Sequence, residues 1–517
     1  MDALEQLKQD VNDGRIDRDR LVELVGILLR KLQESDAGHQ ETKALLEAAL
    51  QRIAELEKKL GGGNSAKFDK PFSTRSEEKR QEERGNKPKK RKLSRNGRRG
   101  RLNNSDKIKL AERTEKVYPE GVAHDDCTWS HTRPMWRLEN GRVVLIAYEI
   151  YRGPGNRYGK IPGAMGRSEF GMEIVVELSH LVYVMGLSFD KACALLTFFQ
   201  KLTLSKSQAE SLLNQLARRW KNEFEVLCTL LANSMIVNAD ETSWSINSVW
   251  AFLSEKARVI LYGVHKDADT LAQILDPSTF AGLVISDDAA VYANFTASQK
   301  CWAHLLRKAI KLTLAEPDNA EYRDFTDRLL EIYRKACRVR LDGRLNDAGR
   351  ARKVAELDDE LLELCFPMWS AESPPLEGVA DDYRLLTNEI MRLQLAKQPF
   401  TFVTTASAPQ PNGKIKPASG TNNAAEQKLR DPAQARKTGR TNKTLYGARR
   451  QTIIASVLES LRLYLKTFTL ETVVAEIASW YRAGQSCFTK LLNKMKLKVP
   501  EEPVLDRVIP LIPVPDG

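Results

Sequence analysis

Two short apolar runs, each leading into an acidic residue, constrain the fold of this 517-residue chain more than any other feature. The run SMIVNADETSW predicts a strand ending at Asp240, and AGLVISDD predicts a second strand ending at Asp287. Between them, SVWAFLSEK and ARVILYGVH predict a hairpin, and DTLAQIL predicts a short helix. Strands, a helix and a further strand in this order indicate an α/β core.

The two aspartates place carboxylates at strand ends, where side chains of an α/β sheet emerge into a crevice. Negative charges there are costly unless balanced, and Mg²⁺, a hard ion that takes oxygen ligands, is a common solution. A third carboxylate, Glu426, lies on a helix predicted from TNNAAEQKLR. Three carboxylates can hold two metal ions about 3.5–4 Å apart for in-line phosphoryl transfer. Because the chain has 68 acidic residues, the strand ends alone leave open that Asp240 and Asp287 are turn or capping residues.

The net charge of +12 and the pI of about 9.2 favour a polyanionic partner such as DNA, because neutralising phosphates releases counterions. Residues 61–107 begin with three glycines, contain KPKKRKLSRNGRRGR and have few large apolar residues, so they cannot fold alone. They predict a phosphate-contacting arm; the alternative is a solvated linker, and the run also resembles a nuclear-localisation signal. The DNA-binding candidates in this arm are Lys89, Lys90, Arg91, Lys92, Arg98 and Arg99.

Residues 1–60 show the spacing of a short leucine zipper. The apolar residues that step by three and four are Leu46, Ala49, Ile53, Leu56 and Leu60, with an earlier stripe at Leu21, Leu24, Leu28 and Leu32. This pattern predicts coiled-coil self-association, as a homodimer or higher oligomer. The alternative is a helical hairpin that packs on its own chain.

The sequence has no run of about 18 apolar residues, which argues against a membrane-spanning helix. The first residues lack the features of a secretory signal, and the seven cysteines are scattered without a Cys-x-x-Cys pair. We therefore expect reduced thiols and a cytoplasmic, nucleoid-associated protein of a bacterium.

The segment between the basic arm and the core predicts two further units. Residues 108–165 are β-rich, with a strand at 142–151 after an Asn140-Gly141 turn. Residues 166–235 are helical and resemble a helix-turn-helix, with Ser205 or Ser207 as the N-cap of a helix at 204–220. This unit predicts DNA recognition, although any small helical subdomain gives the same pattern.

Five sequence blocks occur in a fixed order between about residues 237 and 463: ADETSW, VISDDAAVY, CWAHLLRK, NNAAEQKLRDPAQARKTGRTN and SVLESLR. In this order they resemble the transposases of the insertion sequence 66 family, and the zipper and basic linker look similar to that family as well. The resemblance implies a ribonuclease-H-like fold with Asp240, Asp287 and Glu426 as the catalytic, metal-binding triad. It also implies two Mg²⁺ or Mn²⁺ ions per site, and a largely helical insertion at 300–415.

Glu241 and Asp288 are also candidate ligands, but successive side chains of a strand point to opposite faces, so one acid of each pair should face the metal. The family pattern selects Asp240, and Asp287 over Asp288, because the position after the catalytic aspartate varies in the family.

The motif Cys301-Trp302-Ala303-His304 resembles a Cys-x-x-His signature found after the second aspartate in several transposase families. Its spacing also fits half of a zinc site, but no further ligands lie nearby in the sequence. An auxiliary role in packing or DNA positioning is therefore favoured over zinc. Trp302 is expected to be buried, with stacking on a flipped base as the alternative.

Polar residues surround Glu426 on its predicted helix. Asn422 and Asn423 are auxiliary candidates, and Arg430 shares a helix face with Glu426 four residues away. The alternatives for Arg430 are a surface ion pair and a phosphate contact, which the basic run around Arg436 and Lys437 favours.

The sequence departs from the family where many members carry a cysteine-rich zinc domain. Here the region before the core offers only His124, Cys127 and His131, and a structural zinc normally needs four ligands. We therefore expect a degenerate or absent zinc finger and regard zinc as an improbable cofactor.

These observations predict a multidomain α+β protein with a ribonuclease-H-like core, preceded by a coiled coil and a helical DNA-binding region. The predicted units are 1–60, 61–107, 108–165, 166–235, the first core part 236–299, the helical insertion 300–415, the last core part 416–468 and a C-terminal segment 469–517 with two short helices and a Pro-rich tail. The predicted function is that of a bacterial insertion-sequence transposase acting on transposon ends and target DNA, with small accessory proteins of the same element as further candidate partners. The alternatives are a catalytically silent DNA-binding regulator, a ribonuclease-H-like nuclease or resolvase, and a coiled-coil scaffold.

Overall fold

The computed structural model describes residues 102–369 and 377–511, all within one compact unit, Ser76–Gly517. The predicted zipper and the basic arm up to residue 101 lie outside the described residues, including Lys89, Lys90, Arg91, Lys92, Arg98 and Arg99. The end of the arm is described, and it enters a short helix, Asn104–Lys109. What is described is a mixture of helices and sheets, which confirms the α+β class. The division into eight units stays a prediction.

A four-stranded sheet forms the N-terminal part of the described chain and confirms the β-rich segment. The predicted turn at Asn140 and Gly141 joins its two long strands, with φ values of 49° and 75° that asparagine and glycine tolerate. The strand after the turn pairs in parallel with the first strand and antiparallel with the other two. A short helix and four strands make up this part: α1 (Asn104–Lys109), β1 (Arg113–Val117), β2 (Thr128–Glu139), β3 (Arg142–Gly153) and β4 (Arg157–Tyr158).

Three helices follow, as the periodicity predicts. Ser205 is the N-cap of the third, in a capping box with Gln208 that satisfies two free backbone N–H groups. This third helix carries much of its length into the core, where Leu213, Leu216 and Trp220 are buried. The helices are α2 (Met172–Tyr183), α3 (Phe189–Gln200) and α4 (Lys206–Ala232).

The central sheet has five strands in the order β7-β6-β5-β8-β9. The first three strands form an antiparallel meander, and β8 and β9 add in parallel beside β5. The predicted hairpin and short helix are confirmed, while the short polar strand β9 was not predicted. The elements are β5 (Ile236–Ser243), β6 (Ser248–Ser254), β7 (Arg258–Val264), α5 (Ala268–Ile274), β8 (Leu283–Ser286) and β9 (Ser298–Lys300).

Strands β5 and β8 are covered on both faces, which explains their continuous apolar runs. Val237, Ala239 and Val284 belong to the larger hydrophobic cluster, which also contains residues of α4. Ile236 and Ile285 belong to a second cluster formed largely by the helices that follow β9. Alternate residues of each strand therefore serve two different cores.

The described residues after β9, 302–369 and 377–395, are mainly helical, as predicted for the insertion. The region predicted as a loop at 399–420 contains a one-turn helix and a two-residue hairpin. The elements are α6 (Trp302–Ala315), α7 (Ala320–Leu341), α8 (Asp347–Trp369), α9 (Val379–Leu395), α10 (Thr401–Thr404), β10 (Ala408–Pro409) and β11 (Ile415–Lys416).

Five helices complete the described chain, and the second of them covers the edge strand β7. Hydroxyl groups of Thr452, Ser456 and Ser460, one helical turn apart, each accept a backbone N–H of β7 at 2.9 Å. The Pro-rich tail contains a helix of its own beyond the two short helices predicted. The helices are α11 (Asn423–Lys437), α12 (Leu445–Leu461), α13 (Leu470–Ala483), α14 (Cys487–Lys494) and α15 (Val504–Val508).

All seven cysteines are free thiols. Across the described ranges, no helix combines the length and the apolar character needed to cross a bilayer.

Candidate active site

Asp240 lies inside β5, three residues before its end, so the prediction that the strand ends there was wrong. The strand continues because β6 still pairs with it, with Asp240 opposite Ala251. On the other side, β8 pairs with β5 only as far as Asn238, opposite Ile285. Asp240 therefore lies just beyond the parallel ladder, where the sheet opens.

The register of β5 and β8 brings the two aspartates together. Asp240 lies two residues after Asn238 and Asp287 two residues after Ile285, so extending the observed pairing puts Asp240 opposite Asp287. Neighbouring strands lie about 4.8 Å apart. We call Asp240 and Asp287 the strand pair.

The strand pair has no cation of its own, in contrast to the acid that follows each member. Within residues 102–369 and 377–511, the two carboxylates accept only nearby backbone N–H groups, from Glu241 and Ala289. By contrast, Glu241 points to the opposite face, where Lys266 pairs with it at 2.8 Å and the Tyr292 hydroxyl donates to it. Asp288 is exposed and pairs with Arg392. Alternation along the backbone thus separates two acids that form ion pairs from two that form none within the described residues, and only longer-range charges of Lys266 and Lys300 act on the strand pair.

The electrostatics of Asp240 reflect this arrangement. Burial, followed by the negative charges of Glu241 and Asp287 and, more weakly, of Glu426, raises the pKa of Asp240 to about 7. An unpaired carboxylate in such a place is stabilised by a bound cation. The donor set consists of carboxylate oxygens, which fits Mg²⁺ or Mn²⁺.

Glu426 lies in the first turn of α11 and faces α6. The Arg307 guanidinium donates to both of its carboxylate oxygens, at 3.1 and 3.2 Å. Its Oε1 atom lies 3.7 Å from His304 Nδ1 and 3.8 Å from Cys301 Sγ. Glu426 is near enough to influence Asp240, yet its side chain is bonded to α6 instead of the strand pair.

Asn422 ties α11 to the sheet beside the strand pair. It is fully buried, its side chain donates to the Ala239 carbonyl at 2.8 Å, and it accepts from Asn238 at 3.2 Å. Its backbone N–H donates to Cys301 Sγ at 3.2 Å. Asn422 therefore positions the helix that carries Glu426, while the neighbouring Asn423 is exposed on the first turn.

Trp302 is completely buried, as the sequence favoured. Its indole N–H donates to the Pro399 carbonyl at 2.6 Å, and its ring stacks on Tyr333 at a centroid distance of 5.3 Å. This burial fixes the start of α6 and with it Cys301 and His304, and it leaves no ring face for a base.

Three basic residues of α11, Arg430, Arg436 and Lys437, are exposed on the protein surface. Across the described residues Arg430 forms no ion pair with Glu426, which pairs with Arg307 instead. Arg436 donates to the Ser243 carbonyl at the end of β5, at 3.0 Å, and Lys437 follows in the last turn. These side chains provide positive charge on the same helix as Glu426.

Sequence reasoning missed three basic residues that neutralise acids around the site: Lys266, Arg307 and Arg392. It also missed Lys300, which is buried on β9 and donates to the Asp287 backbone carbonyl at 3.3 Å. Burial lowers the pKa of Lys300 despite the nearby charges of Asp288 and Asp287. The only sequence signal for a cation near Glu426 was the basic end of the block CWAHLLRK, which contains Arg307.

The three residues of the expected zinc-finger position do not share a site. His124 stacks on Tyr118, the Cys127 thiol donates to the Ala123 carbonyl, and His131 Nδ1 contacts the Ser130 hydroxyl. In the part of the chain that the structure describes, one group of three or more His, Cys, Asp or Glu residues brings its ligand atoms within 4.8 Å of one another, and it consists of Cys301, His304 and Glu426.

The family model described as "Transposase IS66 family" matches residues 167–450, more than half of the chain. The chain belongs to this family. The resemblance of the five sequence blocks is thereby confirmed, and family membership supports a transposase role and binding to DNA. The match begins just before α2, so it excludes the four-stranded sheet, and it spans the strand pair and Glu426. A search of curated proteins gave no match.

Proposed function

We propose that this family member is a transposase that cuts the ends of its element and joins the 3′-hydroxyls to target DNA, in a ribonuclease-H-like site of Asp240, Asp287 and Glu426. The observation that carries the proposal is the strand pair: two carboxylates, one on β5 and one directly after the neighbouring strand β8, that form no ion pair within the described residues. The mixed sheet, with acids on its first and fourth strands and a third acid on a helix packed against it, supports the fold assignment.

The strand pair would supply oxygen ligands for two Mg²⁺ or Mn²⁺ ions, and Glu426 would complete the set. When bound, such ions activate the attacking water or 3′-hydroxyl and stabilise the departing oxygen. Asn422 holds the N-terminus of α11 against β5 and so keeps Glu426 within reach of Asp240. Glu426 would join the strand pair only if its side chain gave up its contact with Arg307.

The chain's cations position the nucleic acid. Arg430, Arg436 and Lys437 are exposed on α11, on the helix that carries Glu426, and are suited to phosphate contacts. The arm containing Lys89 to Arg99 adds sequence-independent attraction. Self-association through the predicted leucine zipper would bring two element ends together, in the cytoplasm, with or without accessory proteins of the element.

The test uses the full chain and duplex DNA that carries the repeats flanking its gene. With Mg²⁺ we expect nicked ends and joined products, and Asp240→Asn and Asp287→Asn should lose both. Asp288→Asn is the matched control, because this exposed acid already has Arg392 as a partner, and it should retain activity. Full strand transfer by Asp240→Asn would overturn the assignment. Nicking without joining would instead identify a nuclease, and binding without nicking a silent regulator.

A further inference from the structure

Cys301, His304 and Glu426 converge beside the strand pair, and we term them the Cys–His–Glu cluster. We propose that this cluster is a binding site for a thiophilic transition-metal ion such as Zn²⁺, distinct from the strand pair but sharing Glu426 with the proposed carboxylate site for Mg²⁺. The sequence supplies only half of such a site, because Cys301 and His304 have no further ligand nearby. The fold provides the third ligand from α11, more than one hundred residues away in sequence.

The distances within the cluster fit tetrahedral coordination. Zinc lies about 2.0–2.3 Å from its nitrogen, oxygen and sulfur ligands, so the ligand atoms lie roughly 3.3–3.7 Å from one another. Glu426 Oε1 lies 3.7 Å from His304 Nδ1 and 3.8 Å from Cys301 Sγ. If the side chains move by a few tenths of an ångström, all three ligand atoms can coordinate one ion.

His304 gives an independent indication of a ligand. Its Nδ1 atom is buried and has no hydrogen-bond partner within the described residues, although it faces the carboxylate. A buried polar atom without a partner is unfavourable, and a metal ion would satisfy it. Cys301 and His304 lie three residues apart at the start of α6, so both side chains are on one helix face.

The chemistry of the cluster separates it from the strand pair. Thiolate and imidazole ligands select zinc and related ions, whereas carboxylates alone suit magnesium. Cys301 precedes the first turn of α6, and its sulfur accepts the Asn422 N–H at 3.2 Å, which fixes the Sγ atom beside Glu426. Three protein ligands leave a fourth position for water, which is typical of open rather than structural zinc sites.

Arg307 supplies the positive charge that neutralises Glu426 when no metal ion is bound. It pairs with Glu426, but more than half of its side chain is exposed, so it can move into solvent when a metal ion replaces it. The cluster therefore keeps a neutralised carboxylate in both states.

One consequence rests on the proposed function. A transition-metal ion that holds Glu426 withholds it from the ions of the strand pair, so zinc should inhibit strand cleavage that Mg²⁺ supports. Removal of the thiol should relieve this inhibition.

The binding test uses the full chain without DNA or Mg²⁺, and Co²⁺ as the spectroscopic probe. One equivalent of Co²⁺ should produce a thiolate-to-cobalt charge-transfer band in the near ultraviolet, which Zn²⁺ removes by displacement. Cys301→Ser should abolish the band. Since changes around metal ligands alone weaken binding by about 10–100-fold, His304→Ala should weaken it by at least about tenfold. Circular dichroism without metal verifies that both variants are folded.

Cys127→Ser is the matched control, because Cys127 is a half-buried cysteine between two histidines and offers the competing site. The band should persist in this variant. A band that survives in Cys301→Ser, a band lost in Cys127→Ser, or no band in the unaltered chain would each overturn the proposal.

Asp240→Asn separates this proposal from the proposed function. It should lose Mg²⁺-dependent cleavage and still bind Co²⁺, because Asp240 is not part of the cluster. In the cleavage assay, Cys301→Ser should need at least about tenfold more Zn²⁺ for half-inhibition than the unaltered chain. Equal sensitivity to Zn²⁺ would contradict the inhibitory role.

Discussion

The strand pair and Glu426 belong to one proposed site, yet they are balanced in opposite ways. Asp240 lies on β5 and Asp287 directly follows the adjacent strand β8, and neither forms an ion pair within the described ranges. Glu426 lies on a helix, and Arg307 neutralises it through two hydrogen bonds. The strand half of the site, Asp240 and Asp287, therefore lacks an ion-pair partner and should bind a metal ion. The helix half, Glu426, already has a protein partner, which it must leave before it can bind the same metal.

The largest predicted effect is on strand cleavage, and it tests whether Asp240 and Glu426 act as one catalytic unit. Asp240→Asn should lower Mg²⁺-dependent strand cleavage by at least about 10³-fold, because metal ions supply several kcal/mol of transition-state stabilisation. Adding Glu426→Gln should cost little more, since residues that act as a unit have non-additive effects. Single-turnover rates of both single variants and the double variant measure this. A multiplicative loss would place Glu426 outside the unit.

The next effect concerns the charge of the strand pair in the metal-free protein. Burial and neighbouring acids raise the pKa of Asp240 to about 7, whereas an unfolded aspartate has a pKa of about 3.9. The native state therefore binds the extra proton, and stability falls as pH rises between these values. Asp240→Asn should raise the free energy of unfolding by on the order of 2 kcal/mol at about pH 8 in EDTA, and by nothing near pH 4.

Denaturant unfolding at both pH values provides that measurement. Asp288→Asn, whose acid is exposed and paired with Arg392, should show no such pH-dependent gain. An equal gain in both variants would mean that general charge reduction, and not the strand pair, causes the effect.

Mg²⁺ should stabilise the unaltered chain more than Asp240→Asn, the reverse of the order expected in EDTA. An ion that binds only the folded state at tenfold its Kd stabilises by about 1.4 kcal/mol. The unaltered chain should gain this in Mg²⁺ relative to EDTA, and Asp240→Asn should gain much less. Thermal unfolding of the two proteins side by side gives the answer, and equal stabilisation would place the ions elsewhere.

The smallest effect concerns the helix half. Exposed ion pairs are worth about 0.2–1 kcal/mol, so Arg307→Ala should lower the Mg²⁺ concentration for half-maximal cleavage by roughly two- to fivefold. Lys308→Ala removes the next cation along α6, which pairs with Glu389, and should leave this concentration unchanged. A higher requirement for Mg²⁺ in Arg307→Ala would show that Arg307 helps to assemble the site.

The strand half was accessible from sequence because its determinants are local. Apolar runs predict the strands, and the period of two predicts which face of the strand each side chain occupies. Because β5 and β8 are covered on both faces, their residues are apolar without interruption, and Asp240 and Asp287 stand out as charges at the end of these segments. Even so, the sequence could not show that β6 carries β5 past Asp240, because that depends on pairing with another strand.

The helix half was less accessible because its partners come from distant segments. Spacing along α11 suggested Arg430 as a neighbour of Glu426, but α6 brings Arg307 to it from the insertion. Packing of Trp302 against Tyr333 and Pro399 sets the position of α6, and no local pattern encodes that contact. The predicted zipper and most of the basic arm lie outside the described residues, so their roles remain predictions.

Helix α12 has a consequence for assembly. Its three hydroxyls occupy the outward N–H groups of β7, so the open edge of the central sheet offers no free donors there for a strand from another molecule. Copies of the chain cannot join by extending this sheet through β7 unless α12 is displaced. An edge of the kind that commonly drives β-aggregation is thus covered at β7 from within the same chain.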